Sequence, residues 1–147
     1  MFGEAGHAYV YFTYGMHYCV NLVCQQPGHA AAVLLRAGRV VEGVALAAAR
    51  RGARPAADRD LARGPARLCQ ALAIGRAQNG ADVCDTASPL RVLAPAGFDG
   101  LPADVLSSGP RVGVRLGAEE PWRYWVTAEP AVSVYRPHVP KRRGPLS

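Results

Sequence analysis

Lysine is almost missing from this 147-residue chain, where Lys141 is the only one. That scarcity works against any mechanism routed through a lysine Schiff base, the more so because Lys141 stands close to the C-terminus. The four cysteines, Cys19, Cys24, Cys69 and Cys84, form no Cys-x-x-Cys pair and have no histidine cluster beside them. A zinc site is therefore not expected. Cys19 and Cys69 fall inside apolar runs and read as buried free thiols. There is no P-loop, no dinucleotide fingerprint and no Gly-x-Ser-x-Gly elbow. No leader-like segment or membrane-length apolar run is visible, which sets the expectation of a cytoplasmic protein with no membrane partner. Acidic residues are outnumbered, with 11 Asp and Glu against 17 Lys and Arg. They fall in stretches that read as loops or helix surfaces, where solvated charges belong, so no convincing catalytic carboxylate stands out.

What remains is apolar, aromatic and rich in arginine. Half of the residues are hydrophobic, enough for a core, and the length suits one domain. Net charge is +6 and the pI about 9.5. Arginine's planar fork suits phosphates and base edges, so a nucleic-acid partner fits, although a bias toward Ala, Gly, Pro and Arg would also raise the pI. The stretch that organises the chain is His7-Ala8-Tyr9-Val10-Tyr11-Phe12-Thr13-Tyr14-Gly15-Met16-His17-Tyr18-Cys19-Val20-Asn21. Two β-prone runs flank the Tyr14-Gly15 break, which predicts a hairpin over residues 8–24. Alternation puts Tyr9 and Tyr11 on one face and Val10 and Phe12 on the other. Tyr14 falls at the tip. Half-buried strands edged with amphipathic tyrosines would look like this, and so would a base-stacking platform with a wedge at its tip.

Further along, residues 30–37 predict a strand closing on Arg36, either a surface charge or a site residue. Residues 41–51 predict a helix with Glu42 in its first turn, stopped by Gly52. Residues 64–74 predict a second helix with Pro65 at its first position and Leu68, Ala71 and Leu72 on its apolar face. Its N-terminus, with Arg67 one turn in, suits a phosphate but also suits an ordinary capped helix. Short strands are expected over residues 90–93, 111–114, 122–126 and 132–135, with residues 94–109 as a long surface connection. The fold class is α+β: a single domain over residues 1–136, with a curved antiparallel sheet, a protruding β-hairpin and a few flanking helices. Residues 137–147, containing Lys141-Arg142-Arg143, read as a flexible basic tail.

Three blocks together carry a resemblance. They are Met1-Phe2-Gly3 with Tyr11-Phe12-Thr13-Tyr14-Gly15-Met16, Cys19 and Asn21; then Val33-Leu34-Leu35-Arg36-Ala37 with Val41-Glu42-Gly43; then Gly64-Pro65-Ala66-Arg67-Leu68-Cys69-Gln70-Ala71-Leu72-Ala73-Ile74. In this order and spacing the chain resembles the alkyladenine (3-methyladenine) DNA glycosylase family, over roughly residues 1–135. Arg111-Val112-Gly113-Val114 and residues 130–134 resemble that family's end. The resemblance implies a base-excision repair hydrolase that needs no cofactor or metal. Such an enzyme flips an alkylated or deaminated purine out of double-stranded DNA and cleaves the N-glycosidic bond with an activated water. By the same resemblance Tyr14 is the wedge, Tyr11 an aromatic wall of the pocket and Asn21 the group that rejects normal guanine. Arg36 stands by the water and the sugar-phosphate, the backbone of Val112 lines the pocket, and Arg67 contacts phosphate. A nucleoid-associated monomer is implied for the full-length protein.

The chain also departs from the family pattern. Family members carry, before the hairpin, a Thr-Glu-Ala-Tyr motif that supplies the water-activating glutamate and the second aromatic wall, and a base-binding histidine follows it. That motif is absent here, and Gly38-Arg39-Val40 stands where the family has Leu-Glu-Pro. Glu4 sits at a position with no such family role. The expectation is a chain matching the C-terminal two-thirds of the family, through a start codon placed inside a longer frame or a decayed gene, with the former favoured. On that expectation the chain is inactive by itself and, with Tyr9 and Tyr11 uncovered, poorly soluble. A non-catalytic DNA-binding protein on the same scaffold is the alternative. A single-strand RNA-binding sheet is a third reading.

Overall fold

Alternating aromatic and β-branched residues at the start of the chain form the expected hairpin. In the computed structural model, which describes residues 1–52, 57–94 and 96–136, β1 (Ala8–Thr13) pairs antiparallel with β2 (His17–Val23). Thr13 accepts a hydrogen bond from the Met16 amide at 3.1 Å across the turn. Tyr14 and Gly15 between them both have positive φ, 53° and 65°, as in primed hairpin turns, whose twist matches that of the strands. β3 (Ala32–Leu34) adds antiparallel to β2 in the order β1-β2-β3. It covers only Asn21 to Val23, extended by a bond from the Leu35 amide to the Val20 carbonyl. Among the described residues, the tip-side half of the hairpin thus has no third strand.

One face of the hairpin closes the core of this unit. Ala8, Val10 and Val20 are buried with Ala47, Leu61, Ala62, Leu68, Cys69, Ala71, Ile74 and Val83. α1 (Val44–Arg51) and α2 (Pro65–Ala71) supply the helical part of that cluster. Gly52 stops α1 as expected, with φ of 71° and its amide bonded to Ala49. Glu42, however, lies outside α1, because Gly43 is left-handed at φ 67° and a right-handed helix cannot run back through it. Pro65 is the first residue of α2. Leu72 is solvent-exposed rather than part of the apolar face, because α2 ends in a Schellman arrangement. There the Ile74 amide bonds to the Cys69 carbonyl and the Ala73 amide to Gln70, with Ala73 left-handed at φ 54°. Cys69 and Ile74 are buried in its place.

The first compact unit comprises Met1–Phe98 and the return segment Pro130–Val132. Arg63 ties that return segment down, donating to the Val132 carbonyl while pairing with Asp60 at 3.3 Å. The second unit comprises Asp99–Glu129 and the described residues from Ser133 onward. It is built on β4 (Leu106–Gly109) paired antiparallel with β5 (Arg123–Val126). The mixed α+β class with antiparallel sheets is therefore as expected.

Several local expectations are corrected. β4 lies inside the stretch expected to be a long connection, because Leu-Ser-Ser-Gly has little strand character of its own and is held by β5. Residues 111–114 form a bend, since Gly113 turns the backbone to φ 74°. Residues 90–93 form no ladder, although Val92 donates its amide to the Val83 carbonyl. Residues 132–135 are irregular. The third strand spans three residues, not the expected eight. The basic tail, residues 137–147, lies outside the described residues.

Candidate nucleic-acid interface

The second face of the hairpin is unlike the first. Cross-strand register places Tyr9 opposite Asn21 and Tyr11 opposite Cys19, so these four side chains share the face turned from the core. The Tyr9 and Tyr11 rings stack with centroids 5.6 Å apart and planes inclined by 22°. Asn21 is 7% exposed and donates from Nδ2 to the Tyr9 carbonyl at 3.3 Å. Burial and the adjacent Cys19 thiol push the Tyr11 phenol above its ordinary value, so it is a neutral donor at pH 7. The result is a flat aromatic wall with one buried amide beside it, and no aspartate or glutamate lies in any of its three strands.

Arg36 enters through β3. Leu34 pairs with Asn21 and so lies on the aromatic face, while Leu35 packs toward the core. Arg36 follows two residues after the end of β3 and is half-buried. Arg67 is exposed on α2, whose opposite side packs against β2. Val112 is half-buried in the bend of the second unit. The structure thus brings Tyr11 and Asn21 together on one sheet face, and Arg36 follows the strand that pairs with Asn21. Arg67 is displayed separately and Val112 belongs to a different unit.

Tyr14 is the most telling residue. Its side chain is 83% exposed at the hairpin tip, with Met16 and Phe12 also exposed. It also adopts φ 53°, where a non-glycine residue costs about 1 kcal/mol. Asn or Gly would relieve that cost, so a tyrosine there sacrifices stability for a ring standing in solvent. Sequence reasoning found Tyr14 by its place beside Gly15. It missed the pairing of Tyr11 with Cys19, which follows only from register. It also missed Asn79, whose Oδ1 accepts the Val10 amide at 2.9 Å across 69 positions of chain. Asn79-Gly80 is a visible turn signal, but nothing local names its partner.

A solvent-exposed aromatic tip in front of a stacked aromatic wall, on a basic chain, defines a surface suited to nucleobases. The comparisons agree with that class. Residues 1–130 match the model of the methylpurine-DNA glycosylase family, and the chain belongs to that family. A protein of Streptomyces avermitilis with the name "Putative 3-methyladenine DNA glycosylase" is 51% identical over 146 residues, covering 97% of this chain and 66% of that protein. Relatives of the same name from Nocardia farcinica and Mycobacterium tuberculosis are 49% and 46% identical. The matches cover 92% of this chain in both cases, and 62% and 64% of those proteins. The chain therefore spans about two-thirds or less of the length of these relatives.

Proposed function

We propose that this chain is the duplex-opening and base-holding part of a 3-methyladenine DNA glycosylase. Tyr14 carries the reading: an exposed ring held in a disfavoured backbone conformation suits insertion into a base stack. Tyr14 enters from the minor groove and occupies the space of an extruded purine. The extruded base stacks on Tyr11, whose π face favours electron-poor alkylated rings. Asn21 discriminates at the base edge, opposing the 2-amino group of normal guanine. Arg36 holds the sugar-phosphate and Arg67 a neighbouring phosphate.

Hydrolysis then requires a water to attack C1′ of the sugar as the bond to the purine nitrogen breaks. The bonding pair leaves with the base, and the water's proton passes to a general base. No carboxylate lies in β1, β2 or β3. We assign the general base to the part of the longer relatives that this chain does not match, so the chain alone binds without cleaving. Single-turnover incubation with duplex containing hypoxanthine or ethenoadenine is expected to release no base above background. Substantial release would refute that assignment. Binding tests the wedge: duplex with a reduced abasic site is expected to bind more tightly than intact duplex. Tyr14→Ala should lose most of that preference, about tenfold for a stacked ring.

A further inference from the structure

β1 is the edge strand of its sheet, and an edge presents bare N–H groups unless something meets them. Here the segment after α2 meets them in two different ways. At Ala8 the contact is backbone pairing: Ala8 donates to Ala81 and accepts from Gly80, both at 2.8 Å. One pair further along, the backbone has turned away through Gly80 at φ 84° and the 3₁₀ turn Arg76–Gln78. The Val10 amide is met instead by the Asn79 side chain, at 2.9 Å. Val10 stands between Tyr9 and Tyr11, so this bond fixes the backbone from which both rings of the stacked wall project. The same segment supports β2: a Cβ on Gly75 would lie 3.8 Å from the Tyr18 ring, which packs on Phe12 with centroids 4.9 Å apart.

We infer that Asn79 is a positioning residue for base recognition, acting through the Val10 amide to hold Tyr9 and Tyr11 in register. This inference rests on the proposed role of the aromatic wall. An amide acceptor suits the task because it satisfies one N–H without adding a strand that would cover the tip half of the hairpin. Asn79 is bonded to the Val10 backbone amide, so its proposed effect is on geometry and not on stacking itself.

The test uses the 147-residue chain and the variants Asn79→Ala and Asn79→Asp. In Asn79→Ala, exchange of the Val10 amide should quicken about tenfold with loss of its one acceptor. The Tyr11 phenol, followed by NMR with ring-labelled tyrosine, should titrate closer to its ordinary value as its packing loosens. Asn79→Asp keeps an acceptor oxygen and should restore both. With duplex containing a reduced abasic site, Asn79→Ala should lose about fivefold of the preference over intact duplex, the size of one neutral hydrogen bond. Unchanged Val10 exchange, an unchanged Tyr11 titration, or no recovery in Asn79→Asp would overturn the inference. So would an unchanged preference in Asn79→Ala. If the wild-type chain shows no preference, the base-recognition reading fails, and the exchange and titration results still decide whether Asn79 sets the wall.

Discussion

Raising the pH from 8 to 11 should destabilise this protein in large part through one thiol. Cys69 is 1% exposed within the core, and burial, aided by the nearby Cys19, pushes its thiol up to about 11 from 9.0. The unfolded chain releases this proton near pH 9 while the native state still holds it. Between those values the native state binds more protons, so stability falls as pH rises. Below pH 9 the full contribution is present, and above about pH 11 it is gone. A difference of about two pH units corresponds to roughly 2–3 kcal/mol, a large share of a small domain's stability. Urea unfolding at intervals across this range, under reducing conditions, measures it. Tyr11, also raised, adds a loss of the same sign at higher pH, so the comparison must be with Cys69→Ala. That variant should start lower at pH 8 through its small cavity and then decline by roughly 2 kcal/mol less than the wild type. Parallel curves for the two proteins would show that the buried thiol does not govern the alkaline limb.

Three further outcomes follow from burial and backbone geometry. Leu61 is fully buried, and Leu61→Ala should lower the unfolding free energy by about 2–4 kcal/mol in denaturant titration. Ala73 is left-handed at the end of α2, so Ala73→Gly should raise stability by about 0.5–1 kcal/mol, seen as a higher Tm. Tyr14→Gly should likewise stabilise the chain, by up to about 1 kcal/mol, while removing the proposed wedge. A stabilised variant with weakened lesion binding separates the two effects, whereas a destabilised one would mean that the Tyr14 ring supports the fold.

The parts of the fold legible in the sequence are those whose cause is local. The hairpin follows from alternation around Tyr14-Gly15, α1 ends where Gly52 permits a left-handed turn, and α2 begins at Pro65. Elements that depend on a distant partner were not legible. Leu106-Ser107-Ser108-Gly109 becomes a strand only because Arg123–Val126 pairs with it. Arg111-Val112-Gly113-Val114 has strand composition, yet Gly113 bends it. Of the site, the aromatic face was readable from period-two spacing, and Asn21's place on it follows from register. The Asn79 bond to Val10 was not readable, because a side chain bridging 69 positions leaves no periodic trace.

On the proposed function the hairpin pushes a base out of the duplex. Placing 2-aminopurine beside a lesion and following its fluorescence on adding the chain tests this directly, because the probe brightens when its neighbour unstacks. Brightening is expected with the wild-type chain and little with Tyr14→Ala at saturating protein. Equal brightening from both proteins, or none from the wild type when it is bound, would contradict it.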